Sequence, residues 1–151
     1  MVDELPYCPD GIDYMWLALH DKYTRTALAD GFKVSNFVQL MQDWKDGHLK
    51  VFFPVINDKP MGYILGFIED DTFEGHYGFF KEYLGGPNIE AIKECMTLIR
   101  EKYGITTFVS SIPKSNQLAI SFAVKRLGFE KGDVITSDLC GDCIQVRKRI
   151  S

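Results

Sequence analysis

The hydrophobic period changes partway along the chain, and that change limits the folds open to it. From His48 to Phe80 the apolar residues fall in three short runs, His48–Ile56, Met61–Ile68 and Thr72–Phe80. Asn57-Asp58-Lys59-Pro60 and Asp70-Asp71 separate them. Runs of this length between turn-forming residues predict three strands in a meander. Gly62 and Gly66 predict bulges or close backbone contacts within the second. After Gly85-Gly86-Pro87 the spacing becomes helical. Ile89, Ile92, Met96 and Ile99 share one face of a helix over Asn88–Tyr103, which Gly104 closes. A β-branched stretch, Ile105–Ile112, reads as a buried strand. A strand, a crossover helix and a second strand pair in parallel, so the sheet is mixed.

The flanks fit one α+β domain spanning residues 1–151. The first twelve residues, with Pro6, Pro9 and Gly11, read as irregular or as a short edge strand. A helix is expected over Asp13–Ala29, with Gly31 as its C-cap. A second begins at a cap on Ser35 or Asn36 and runs to about Lys45, carrying Phe37, Leu40, Met41 and Trp44 at helical spacing; Gly47 ends it. Past the buried strand, Ser115 is expected to cap a helix reaching Leu127. A hairpin of Val134–Leu139 and Cys143–Ile150 turns at Gly141-Asp142. No internal repeat or linker interrupts the series.

Composition narrows the classes further. A chain of 151 residues with 46% hydrophobic and 25% charged residues can bury a core without metal or disulfide staples. Seventeen basic against 21 acidic residues leave a net charge of −4, which argues against nucleic-acid binding. The apolar run at Val51–Ile56 is interrupted by Pro54 and far short of the about 20 residues a membrane span needs. The start, Met-Val-Asp-Glu, lacks the basic and apolar regions of a signal peptide. The expectation is a cytoplasmic protein, off the membrane, whose four cysteines are thiols.

The Gly-rich turn has its own chemistry. A strand that stops at such a turn and opens a helix leaves backbone N–H groups and the positive end of the helix dipole facing outward. That is an anion site. Gly85 and Gly86 permit the tight turn, and Pro87 suits the first helical position. Pro87 has no N–H of its own, which leaves the amides of Gly85, Gly86, Asn88 and Ile89. The same pattern also describes an ordinary capped turn.

Two stretches carry a family resemblance: His76–Met96, HYGFFKEYLGGPNIEAIKECM, and Ser111–Phe129, SIPKSNQLAISFAVKRLGF. With the order of elements over roughly 48–150, they resemble the GNAT superfamily of N-acetyltransferases. The resemblance implies a mixed central sheet flanked by helices. It implies acetyl-CoA as cosubstrate and an amine as acceptor, held in a V between Thr72–Phe80 and Ile105–Ile112. The amides at Gly85, Gly86, Asn88 and Ile89 would hold the pyrophosphate. Strand amides at Phe79 and Phe80 would polarise the acetyl carbonyl. Asn116 would contact the cofactor, or else simply cap its helix. Glu74, with His76 second, is the candidate general base; equal strand parity places both on one side. A solvated pair near a turn is the plainer reading of those two.

The chain departs from the family at two places. The family's Gln or Arg, two residues, Gly, one residue, Gly or Ala becomes Glu82 to Pro87, an acid where positive charge suits a pyrophosphate. The family's thiolate-protonating Tyr, about seven residues after the Asn, is Ala123, or Val124 counted back from Gly128-Phe129. Tyr77 and Tyr83 read as packing. Compact GNAT-like chains are also similar to proteins of tailed bacteriophages, some of them head-assembly factors. That implies the alternative of a non-catalytic assembly or interaction protein in a bacterial host, with a protein partner, and leaves room for a homodimer.

Other signals carry less. Cys140-Gly-Asp-Cys143 straddles a hairpin turn rather than a helix start, so plain thiols are expected. His20, His48 and His76 have no metal-ligand spacing, and no metal is expected. Arg147-Lys148-Arg149 reads as a solvated strand edge, and Trp16 and Trp44 as core.

Overall fold

The computed structural model describes residues 1–20, 34–137 and 141–150. Its strands are β1 (Val2–Glu4), β2 (Leu49–Ile56), β3 (Lys59–Pro60), β4 (Gly62–Glu69), β5 (Thr72–Phe79), β6 (Thr107–Pro113), β7 (Glu130–Ser137) and β8 (Gly141–Arg149). The described helices are α1 (Pro9–His20), α2 (Val34–Lys45), α3 (Pro87–Tyr103) and α4 (Gln117–Lys125). The sheet runs β1-β2-β4-β5-β6-β8-β7, with β3 paired to β2. Every neighbouring pair is antiparallel except β5 and β6, which are parallel. The mixed sheet expected from the change of period is present.

Two faces of that sheet hold different cores. On one, Met15 and Leu19 of α1 and Phe37, Leu40, Met41 and Trp44 of α2 cover Leu49, Val51, Tyr63 and Leu65. On the other, Ala91, Ile92, Cys95, Met96 and Ile99 of α3 cover Phe52, Ile64, Phe73, Phe79 and Phe108. Strand alternation enforces this division: Val51 and Phe52, or Ile64 and Leu65, point to opposite sides. A third cluster joins Ile120 and Ala123 of α4 to Ile112, Ile144 and Val146.

Several boundaries differ from expectation for local reasons. The first helix starts at Pro9 rather than Asp13, because Pro9 is preset for the first helical turn. Cys8 stands before it, accepting from Ile12 N through its carbonyl and from Gly11 N through Sγ at 3.4 Å. The stretch expected to carry that helix on to Ala29, and Gly31 as its cap, lie outside the described residues. The cap of α4 is Asn116, not Ser115: Asn116 Oδ1 accepts from Ala119 N at 3.2 Å. Asn57 and Asp58 both take positive φ, 50° and 61°, in a tight turn that carries the pairing on to Lys59–Pro60. Gly62 and Gly66 sit at close contacts in an unbroken β4–β5 ladder, without a bulge.

Candidate functional site

β5 and β6 part company early. Their parallel pairing covers only Thr72–Glu74 against Thr107–Val109, yet β5 continues to Phe79 and β6 to Pro113. Asp71 closes the narrow end: its carbonyl accepts from Thr106 N and Thr107 N, and its carboxylate accepts from Thr106 Oγ1 at 2.7 Å. The Thr106 hydroxyl bond is the main cause that holds the carboxyl below the usual range. Beyond Glu74 the strands enclose a V that opens toward their carboxyl ends, where parallel strands present ligand sites.

The backbone of β5 can be followed into that V. Phe80 N donates to Met61 O at 3.0 Å, and Phe79 lies opposite Gly62. Alternation along the antiparallel ladder then turns the backbone groups of Glu74, His76 and Gly78 toward β4. Those of Gly75, Tyr77 and Phe79 face β6, past the end of its pairing. Of the two amides expected to polarise a carbonyl, Phe79 therefore faces the V. Phe80 does not, since its N–H is already bonded across the sheet. The amides of Gly75 and Tyr77 face the V as well, and strand parity is the signal that distinguishes them.

A cavity of about 50 Å³ lies at the base of the V. Gly75, His76 and Tyr77 line it from β5, Val109 and Ser110 from β6, and Cys95 and Met96 from α3. It holds a few water-sized groups, the scale of an acetyl thioester rather than of a whole nucleotide cofactor. Tyr77 leans across the opening to Phe122 of α4, ring centroids 6.0 Å apart. Its hydroxyl is buried and has no hydrogen-bond partner. Burial raises the phenol's pKa.

At the wide end, residues Lys81–Tyr83 make a single 3-10 turn before Gly85 (φ 90°) and Gly86 lead into α3. Pro87 is the first helical residue, as expected. The amides expected to be open are only partly so. Ile89 N donates to Gly86 O at 3.0 Å, and Gly86 N donates to Asn88 Oδ1 at 3.2 Å. Gly85 N and Asn88 N have no protein partner among the described residues. The Asn88 side chain, 3% exposed, occupies the place of an acceptor over the turn. Glu82 is exposed beside it.

Glu74 and His76 share the α1/α2 face of β5, opposite Phe67 and Leu65 of β4. Glu74 is exposed and His76 is half-buried. Burial pulls the His76 imidazole down from 6.5 to about 4, although part of the residue stays exposed. The unfolded chain thus binds a proton that the folded chain refuses. His76 contributes full stability above about pH 6.5, lost as the pH falls toward about 4; the ceiling is about 3 kcal/mol, lowered by the partial exposure. Urea unfolding at about pH 7.5 and about pH 5 should show a smaller loss for His76→Gln than for the native chain. Equal losses would contradict the assignment.

Asn116 stands where β6 gives way to α4, with its side chain committed to the helix cap. Ala123, at the position of the missing phenol, is buried against Ile112 and Ile144. Trp44 is core, 5% exposed, whereas Trp16 is 38% exposed and packs on Phe37. Cys8 and Cys95 are free thiols. Cys143 is buried and disulfide-bonded, which corrects the thiol expected there; Cys140 lies outside the described residues. Among the described residues no cluster of His, Cys, Asp or Glu could hold a metal ion, and no helix is long and apolar enough to cross a membrane.

No protein-family model and no curated protein sequence matches the chain. Solved structures do. An uncharacterised protein of Bacillus halodurans superposes with a TM-score of 0.78 at 16% identity, over 98% of this chain and 83% of that one. The Salmonella typhimurium acetyl transferase that modifies the N-terminal serine of ribosomal protein L7/L12 gives 0.76 at 12%, over 99% and 95%. The acetyltransferase AAC(6')-Ib, solved with paromomycin and acetyl-CoA, gives 0.75 at 12%, over 99% and 92%. At these identities the likeness is one of fold.

Proposed function

We infer that this chain, which has the GNAT acetyltransferase fold, transfers an acetyl group from acetyl-CoA to an amine. The observation that carries the reading is the parting of β5 from β6 after Glu74, around an apolar cavity of acetyl size. The thioester end enters there, its carbonyl oxygen meeting N–H groups that β5 turns toward the V, Phe79 foremost. The pyrophosphate lies over Gly85, Gly86, Asn88 and Ile89 at the start of α3, displacing the Asn88 carboxamide from Gly86 N. Asn116 borders the opposite wall. His76 is neutral at neutral pH and Glu74 lies two residues away on the same face, so either can take the amine proton directly or through water. Positioning and preorganised amides supply much of the acceleration in such a site.

Two observations favour a second reading. The Tyr77–Phe122 contact spans the V, and Asn88 fills the turn that would take the phosphates. A chain that keeps the fold without catalysis, as an assembly or interaction protein of the tailed-bacteriophage kind, would look the same. The deciding assay is release of CoA thiol from acetyl-CoA with a panel of primary amines. Amine-dependent release above the spontaneous rate supports acetyl transfer; none with any amine supports the assembly reading.

A further inference from the structure

We propose that the phenol of Tyr77 protonates the departing sulfur during acyl transfer, a role that α4 leaves vacant. The inference rests on the acetyl-transfer reading above.

Among the described residues, two buried side-chain polar atoms lack a hydrogen-bond partner, Tyr77 Oη and Ser111 Oγ. Buried polar groups are nearly always paired, and an orphan marks strain, catalysis or an unseen partner. Ser111 alternates with Ser110 and Ile112, so it faces away from the α4 side of β6, and it does not line the cavity. Tyr77 does line it, at the point where β5 and β6 have separated. Its own N–H faces the V, and its ring reaches the α4 wall at Phe122. No residue of α4 lines the cavity, and Phe122, which meets the Tyr77 ring, carries no transferable proton. The hydroxyl is thus buried and unbonded on a residue that lines the space into which the thioester enters.

The cavity itself makes a proton necessary. Cys95 lines the same space, and burial raises its thiol pKa, so a bare thiolate is disfavoured there. In the step, the amine nitrogen bonds to the thioester carbon and the C–S bond breaks. The sulfur leaves with the bonding pair and takes the phenolic proton as it goes, giving a free thiol. The proton lost by the amine nitrogen returns through water to the phenolate. Amine and thioester become amide and thiol, with no other reagent.

The test is Tyr77→Phe, which keeps the ring on Phe122 and removes the orphan hydroxyl. Replacing an unpaired polar group by an apolar one is close to neutral for folding or stabilising, so the melting temperature is expected to hold or rise. The amine that turns over best in the native chain is then tested with two donors. With acetyl-CoA, kcat is expected to fall at least about 100-fold. With p-nitrophenyl acetate, whose phenolate leaves without a proton, the two proteins are expected to match. Equal rates with acetyl-CoA, an equal fall with both donors, or a variant that fails to fold would overturn the role of Tyr77 and leave the acetyl-transfer reading standing. No turnover of acetyl-CoA by the native chain would overturn both.

Discussion

Gly62→Ala is expected to destabilise the fold by about 3–5 kcal/mol, among the largest losses a single methyl group can cause. Gly62 has φ 145°, a conformation that side chains rarely adopt. A Cβ there would lie 1.9 Å from Gly78 O and 2.8 Å from the Phe79 Cα. Both obstacles are backbone, so relief requires β4 to move away from β5 at the Tyr63–Gly78 and Gly62–Phe79 pairs. It also disturbs the Tyr14 hydroxyl, which donates to Gly62 O at 2.7 Å. The displaced segment carries the Phe79 amide at the mouth of the V, so acetyl-CoA binding should weaken with stability. Gly86→Ala is the control for added volume: nothing lies within 4 Å of its Cβ position. Urea midpoints of the two variants provide the measurement. A loss below about 1 kcal/mol for Gly62→Ala would contradict the close approach.

Phe73→Ala is expected to cost about 3–5 kcal/mol for a related reason. The Phe73 ring, 3% exposed, lies flat over the backbone that two glycines leave bare. A Cβ on Gly66 would meet its Cζ at 2.4 Å, and one on Gly75 would meet its Cε1 at 2.5 Å. The ring also touches Phe52 and Phe108, with centroids 6.2 and 5.9 Å away, and so joins the two sides of the narrow end of the V. Its removal would merge the vacated space with the cavity already lined by Gly75 and Tyr77. Partial refilling should then be possible. Gly75→Ala is expected to be harmful alone and much less harmful in the Phe73→Ala background, so the double variant should lose less than the sum of the singles. Additive losses from denaturant titrations of the three variants would refute that packing.

The parts of the fold that follow from periodicity were legible in the residues. The switch after Gly85-Gly86-Pro87 implied the parallel β5–β6 pair, and the equal parity of Glu74 and His76 implied a shared face. Local chemistry was harder to read. A cysteine carbonyl and thiol before α1 resemble no usual cap, and Ser115 and Asn116 are both good capping residues, so neighbour alone could not choose between them. The site was legible in outline and obscure in detail. Gly85 and Gly86 marked the turn, but only the fold shows Asn88 leaning back onto Gly86 N. Phe79 and Phe80 looked equivalent until Met61 claimed one amide. Tyr77 looked like packing, and its ring is packing; what the residues could not show is that its hydroxyl is left without a partner.

The central claim is that acetyl-CoA enters the V between β5 and β6. Its most direct test is thermal unfolding with and without that molecule. A ligand at 100 times its Kd adds about 2.7 kcal/mol to stability, or roughly 5–11 °C in Tm for a chain of this size. The account predicts such a rise with acetyl-CoA, reduced in a folded Gly62→Ala protein. An unchanged Tm at millimolar acetyl-CoA would contradict it.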